Sequence, residues 1–169
     1  MSAGVATETA RGLAGQVADP EIPVLTIEDL GILRDVVVDD DGNVEVTVTP
    51  TYSGCPAVDV IRAEVTRTLR EHGYGEVRVR TVLAPAWTTD WMSTEGRAKL
   101  AAYGIAPPGQ PGRAGPVPVK LTTYRPEPVA CPRCGSADTR EVSRFGSTAC
   151  KSHHTCRACL EPFDHFKTL

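Results

Sequence analysis

No stretch of this 169-residue chain approaches 18 consecutive apolar residues, so the sequence offers no candidate membrane span. The first residues, MSAGVATETARGLAGQV, lack both the basic start and the apolar run of a secretory signal, and a cytoplasmic location is the expectation. An excess of basic charge is missing too. Eighteen Lys and Arg stand against 21 Asp and Glu, a net charge of −3, which argues against a nucleic-acid partner. Aromatic residues make up only 5% of the chain, and no internal repeat is visible. Asp39, Asp40 and Asp41 would suit the start of a calcium loop, but no glutamate follows at EF-hand spacing, which makes them a solvated turn.

What is present divides unevenly. Residues 1–130 carry a balance of −5 and residues 131–169 a balance of +2. Residues 107–118, PPGQPGRAGPVP, resist regular structure and read as a stiff linker. The expected organisation is an α/β (α+β) domain over 1–106, a Pro/Gly-rich linker over 107–128 and a metal-binding tail over 129–169.

The first domain is organised around VTVTPTYSGCPAVDVIRAEV, Val46 to Val65. Val44, Val46 and Val48 alternate with polar residues in the period of a half-buried strand. Val58, Ile61, Val65 and Leu69 then repeat at helical spacing. Pro56 suits a first helical position, which places Cys55 at the N-cap. There the helix dipole and unpaired N–H groups favour thiolate, so Cys55 is a candidate reactive or metal-handling thiol; the plainer alternative is a buried small hydrophobe. A nucleophilic enzyme would need a base nearby. His72 lies 17 residues on, about 25 Å along the same helix.

Around this centre, residues 5–17 read as a helix with Val5, Leu13 and Val17 near its buried face. Val36–Val38 and Val44–Val48 form a hairpin turning near Asp41–Gly42. Thr26 and Asp29 loosely resemble a capping box, and Gly31 can close a turn. Glu76–Leu83 adds a third strand, which makes a small mixed sheet with helices packed on it. Ser93 caps a further helix reaching about Ala102, and Trp87 and Trp91 read as packing residues.

The tail reads CPRC, 21 residues, then CRAC. Cys131, Cys134, Cys156 and Cys159 present four thiolates on two turns, the donor set of a tetrahedral zinc ribbon. Iron or a redox dithiol are the competing readings. A hairpin turning at Gly146–Ser147 and a third strand over Pro162–Phe166 complete the ribbon. Cys150 is expected to face inward, and the tail is expected to need its metal to fold.

DPEIPVLTIEDLGILRDV, TPTYSGCPA, LAPAWTTDWMS and FGSTACK together resemble the PaaD (PaaJ) family of bacterial phenylacetate degradation. Residues 10–105 are similar to the wider domain family that includes SufT and the eukaryotic cytosolic iron–sulfur targeting factors. The shared marks are Asp19-Pro20-Glu21, Asp29-Leu30-Gly31 and the Thr-rich strand leading to Cys55-Pro56. At Lys151–Thr155, KSHHT, the chain departs from that pattern: His153 and His154 stand where the family tends to carry a leucine and an aromatic, which puts the exposed face of the ribbon in question. The resemblance implies a non-enzymatic accessory to the phenylacetyl-CoA epoxidase, whose reductase carries flavin and a plant-type iron–sulfur cluster. It implies cluster maturation, with Cys55, Asp19 and Glu21 handling iron or a cluster transiently and zinc in the tail. The epoxidase components, the reductase above all, are the implied partners, with room for a homo-oligomer. A purely structural role within that complex is the alternative.

Overall fold

Alternating valines build the first sheet. Strand β1 (Leu33–Val38) and strand β2 (Val44–Val48) form an antiparallel hairpin, and strand β3 (Val77–Thr81) pairs parallel with β2 in the order β1-β2-β3. Val36, Val38, Val44, Val46, Val48, Val77 and Val79 turn inward and are buried. At the hairpin turn Asp39 accepts the N–H groups of Asp41 and Asn43, and Gly42 takes a φ of 80°. Helix α2 (Ala57–Glu71) links β2 to β3 and buries Ile61, Val65 and Leu69 against the sheet. Gly73, at φ 86°, ends it. The expected mixed sheet with packed helices is therefore the observed fold.

The computed structural model describes residues 3–109 and 128–169, and the chain divides into two units, Met1–Lys99 and Leu100–Leu169. Most of the linker expected over 107–128 lies outside the described residues. In the first unit, helix α1 (Ala3–Gly15) packs on β1 and α2. Its buried face is only partly the one expected. Ala10, Ala14 and then Val17 point inward, while Val5 is exposed and Leu13 only half-buried. Small side chains let the helix backbone approach the sheet closely, and a hydropathy pattern that favours large residues misses such a face.

The segment between α1 and β1 is a run of turns fastened by side chains. Asp29 accepts the Thr26 N–H, and the Thr26 hydroxyl accepts the Asp29 N–H. Lys99 donates to the same carboxylate at 2.8 Å, and the Ser93 N–H to the Asp29 carbonyl. Gly31 sits at φ 67°, where a Cβ would fall 2.3 Å from the Trp91 carbonyl oxygen. Trp87 is buried and donates its indole N–H to the Leu30 carbonyl. The Arg34 guanidinium lies 3.5 Å over the Trp91 ring. Helix α3 (Thr94–Tyr103) starts with Ser93 accepting the Gly96 N–H, as its sequence indicates.

The second unit holds a four-stranded sheet: β4 (Ile105–Ala106), β5 (Thr139–Ser143), β6 (Lys151–Cys156) and β7 (Pro162–Phe166), in the order β4-β7-β6-β5. The last three form the expected ribbon meander. Strand β4 comes from the other side of the linker in sequence and runs parallel to β7, Ile105 opposite Asp164 and Ala106 opposite His165. Ala106, Cys131, Cys156 and Phe163 make a small core with Val129 against it.

Candidate functional site

Cys55 stands where β2 gives way to α2. Pro56 already has helical dihedrals, φ −67° and ψ −21°, and occupies the cap position of the helix. Cys55 is thus one residue outside that position, but it keeps part of the expected role, because the Ala57 N–H still bonds to its sulfur. The expectation of a stabilised thiolate is overturned. Half-burial pushes the Cys55 thiol up; the Ala57 N–H opposes this, the carboxylates of Glu21 and Asp19 add to it, and a hydrogen bond with Tyr52 opposes it more weakly. The balance disfavours the thiolate.

The same electrostatics show what the fold has gathered. Asp19 and Glu21, more than thirty residues earlier in the chain, lie close enough to act on the sulfur. Asp19 is buried, and its Oδ1 accepts the N–H groups of Glu21 and Ile22, each at 2.8 Å, which fixes the turn carrying both acids. The three expected site residues share one neighbourhood. They are not packed as a ligand set, however: among the described residues, the group of three or more side chains close enough to hold a metal is the tail tetrad. His72 plays no part here, since its Nδ1 meets the Thr68 carbonyl at the far end of α2.

In the tail, Cys131, Cys134, Cys156 and Cys159 bring their sulfurs within 4.8 Å of one another. The Cys131–Cys159 pair is at 3.8 Å and the Cys134–Cys156 pair at 3.6 Å. A tetrahedral zinc with bonds of about 2.3 Å has sulfur–sulfur edges of about 3.8 Å, so the donor set fits the metal. Each knuckle is closed by a residue in the left-handed region: Gly135 at φ 74° after the first, Leu160 at φ 65° after the second. The Cys159 and Ala158 N–H groups point at the Cys156 sulfur and draw that thiol down to about 7, which readies it for metal. With zinc bound, the four thiolates hold it in a closed structural site that ties the two knuckles together.

Sequence reasoning missed a polar cluster on the ribbon's buried face. The Ser152 hydroxyl meets His154 Nε2 at 2.9 Å and His165 Nδ1 at 3.3 Å, and Ser152 and His154 are buried. Burial lowers His154, and burial with the nearby His154 pushes His165 down to about 4. His154 stacks on Phe163, with centroids 5.5 Å apart, so it fills an inward aromatic's place. His153 points outward to Asp164 at 3.2 Å. The one available signal was that three of the four histidines fall in the tail. Cys150 faces inward as expected, 3.0 Å from the Thr148 hydroxyl.

Comparison with known proteins accounts for both units. Residues 9–82 match the family model described as iron–sulfur cluster assembly protein, and residues 115–167 match the PaaD zinc β-ribbon domain. An Escherichia coli (strain K12) protein, provisionally named as one of the subunits of 1,2-phenylacetyl-CoA epoxidase, is 46% identical over 157 residues, 93% of this chain and 90% of that one. The iron–sulfur protein maturation auxiliary factor YitW of Bacillus subtilis (strain 168) is 37% identical over 94 residues, 55% of this chain and 91% of its own. The crystal structure of a domain of unknown function, DUF59, from Bacillus anthracis covers 59% of this chain and 95% of its own, at a TM-score of 0.56 and 29% identity. No helix among the described residues is long and apolar enough to cross a membrane. An assembly-type domain carrying Cys55, followed by a four-cysteine ribbon, places the chain in the PaaD family of the phenylacetyl-CoA epoxidase system.

Proposed function

We propose that this protein is an accessory factor of the phenylacetyl-CoA epoxidase system, and that it helps an iron–sulfur cluster reach the reductase component through Cys55. The observation that carries this is that the fold brings the Asp19 and Glu21 carboxylates within electrostatic range of the Cys55 thiol. Two carboxylates next to a thiol repel a bare thiolate but attract a cation. An arriving iron ion or cluster, treated as cargo, neutralises the acids and lowers the thiol pKa as it binds. A single protein thiolate then holds the cargo without trapping it, because release needs only reprotonation of one sulfur. The protein itself performs no catalysis in this reading. The zinc ribbon keeps its metal and serves as a docking module.

The half-burial of Cys55 and the upward push on its thiol favour a second reading, a structural component of the complex in which the thiol only packs. One experiment separates the two. The reductase component is produced in cells with the wild-type protein, with Cys55→Ser, or without this protein, and its iron and acid-labile sulfide are measured. Cluster-deficient reductase in both deficient strains supports maturation. Full cluster content with Cys55→Ser rejects a role for the thiol and leaves the structural component.

A further inference from the structure

The first sheet ends in an open edge beside an arginine-lined groove, and neither belongs to the Cys55 neighbourhood. Strand β3 pairs only with β2 among the described residues. The Val44 N–H bonds to the Glu76 carbonyl and the Val82 N–H to the Val48 carbonyl. Even-numbered residues of β3 therefore turn their backbone groups toward β2, and those of Val77, Val79 and Thr81 face the other way. Among the described residues those three have no backbone partner. Such an edge is a template for another strand.

Between this edge and α2 runs a groove of about 720 Å³. Arg62, Arg67, Arg70 and Arg78 line it, together with Asp59 and Glu71, and Arg62 pairs with Asp59 at 3.7 Å. Arg67 is held by Glu64 and Glu71, at 2.6 and 2.9 Å. The Arg70 guanidinium has no ion pair or hydrogen bond among the described residues. Arg78 reaches only an exposed carboxylate, Glu76, at 3.7 Å.

We propose that the β3 edge and this groove form a docking site for an extended acidic segment of a partner protein. The segment adds a strand beside Val77–Thr81, and a carboxylate on its side facing α2 meets Arg70, the lining arginine left without an ion pair. Main-chain bonds give the register, and Arg70 selects the sign of charge. Two other occupants fit less well. A second copy pairing through its own β3 would set Arg78 and Arg80 against their counterparts. Residues 110–127 of this chain carry Arg113, Lys120 and Arg125 against Glu127 alone, a balance of the same sign as Arg70. The inference does not rest on Cys55 chemistry, and it holds or fails separately from it.

The test uses the zinc-loaded full chain, ¹⁵N-labelled, titrated with a synthetic octapeptide alternating glutamate and valine. A peptide alternating lysine and valine is the control. The expected result is a larger shift at the amides of Val77, Val79 and Thr81 than at those of Arg78 and Arg80. Affinity should fall about tenfold in Arg70→Glu/Arg78→Glu, and should weaken as salt is raised. The double variant should keep its zinc and its far-ultraviolet spectrum, since both side chains are exposed. Equal binding of the lysine peptide overturns the proposal. So do unmoved β3 amides, or concentration-dependent pairing of the protein alone that the arginine substitutions strengthen.

Discussion

Single residues here show where chemistry outruns pattern. Gly135 and Leu160 occupy matched positions after the two knuckles, both at positive φ, but only the glycine is at ease there. A Cβ on Gly135 would meet nothing within 4 Å, so Gly135→Ala carries the dihedral penalty alone, about 1–2 kcal/mol in urea unfolding of the zinc form. Leu160 is 78% exposed and already bears that strain. Leu160→Gly should stabilise the zinc form by about 0.5–1 kcal/mol, the relief less the added freedom of the unfolded chain. Cys55 gives the second prediction at this scale. It should react with iodoacetamide at pH 7.5 more slowly than an unperturbed cysteine, and Glu21→Gln should speed it by removing one repelling carboxylate. Gly135 was legible because glycine signals a left-handed turn. Leu160 was not, because leucine signals nothing of the kind. The position of Cys55 was legible, but its protonation state was not, since that depends on acids which only the fold brings near.

Elements were read well wherever one face is apolar and periodic. The β1–β2 hairpin, α2 between Pro56 and Gly73, β3, and the ribbon strand at Pro162–Phe166 all lie where the valine alternation, the helical stripe and the stop residues indicate. The run of turns between α1 and β1 was only half legible. Thr26 and Asp29 bond reciprocally as a capping pair would, but the cation that completes the arrangement is Lys99, 70 residues later. Burial alone would raise the Asp29 carboxyl; hydrogen bonds from Lys99 and Thr26 outweigh it and hold it below the ordinary carboxylate range. A lowered carboxyl contributes stability that is present above its unfolded pKa of about 3.9 and is lost as pH falls through its folded value. Asp29→Asn should therefore cost about 1–2 kcal/mol at pH 7, and the deficit should vanish at strongly acidic pH. Gly31→Ala should cost about 2–4 kcal/mol, because its Cβ would strike the Trp91 carbonyl at an unfavourable φ. Thermal unfolding of each variant measures both.

At the scale of the whole molecule, the two units should answer differently to metal and to acid. Cys156→Ser should lose zinc by elemental analysis and unfold the ribbon, while the amide spectrum of residues 3–99 stays dispersed. Acid acts on the second unit through His165, neutral in the fold and pushed down to about 4 by burial and by His154. Above its unfolded pKa of about 6.5 neither state takes the proton; between there and 4 only the unfolded chain does. The advantage of the wild type over His165→Gln should therefore shrink by about 1.5 kcal/mol from pH 6.5 to 5, measured with zinc saturating. None of this cluster was legible, because polar residues in a short, charged tail read as surface side chains and a buried histidine network leaves no periodic mark.

Strand β4 carries a consequence of its own. Only two residues long, it pairs with β7 although more than fifty residues separate them in the chain. So short a strand has little affinity for its neighbour as a free peptide; covalent connection supplies a high effective concentration. Unbroken chain between Ala106 and Pro162 therefore helps keep Ile105 and Ala106 against β7 and out of water. A single protease cut within 110–127 would make that pairing bimolecular. Hydrogen exchange at Ile105 and Ala106 should then quicken with dilution, while the four cysteines, all on the C-terminal fragment, keep their zinc.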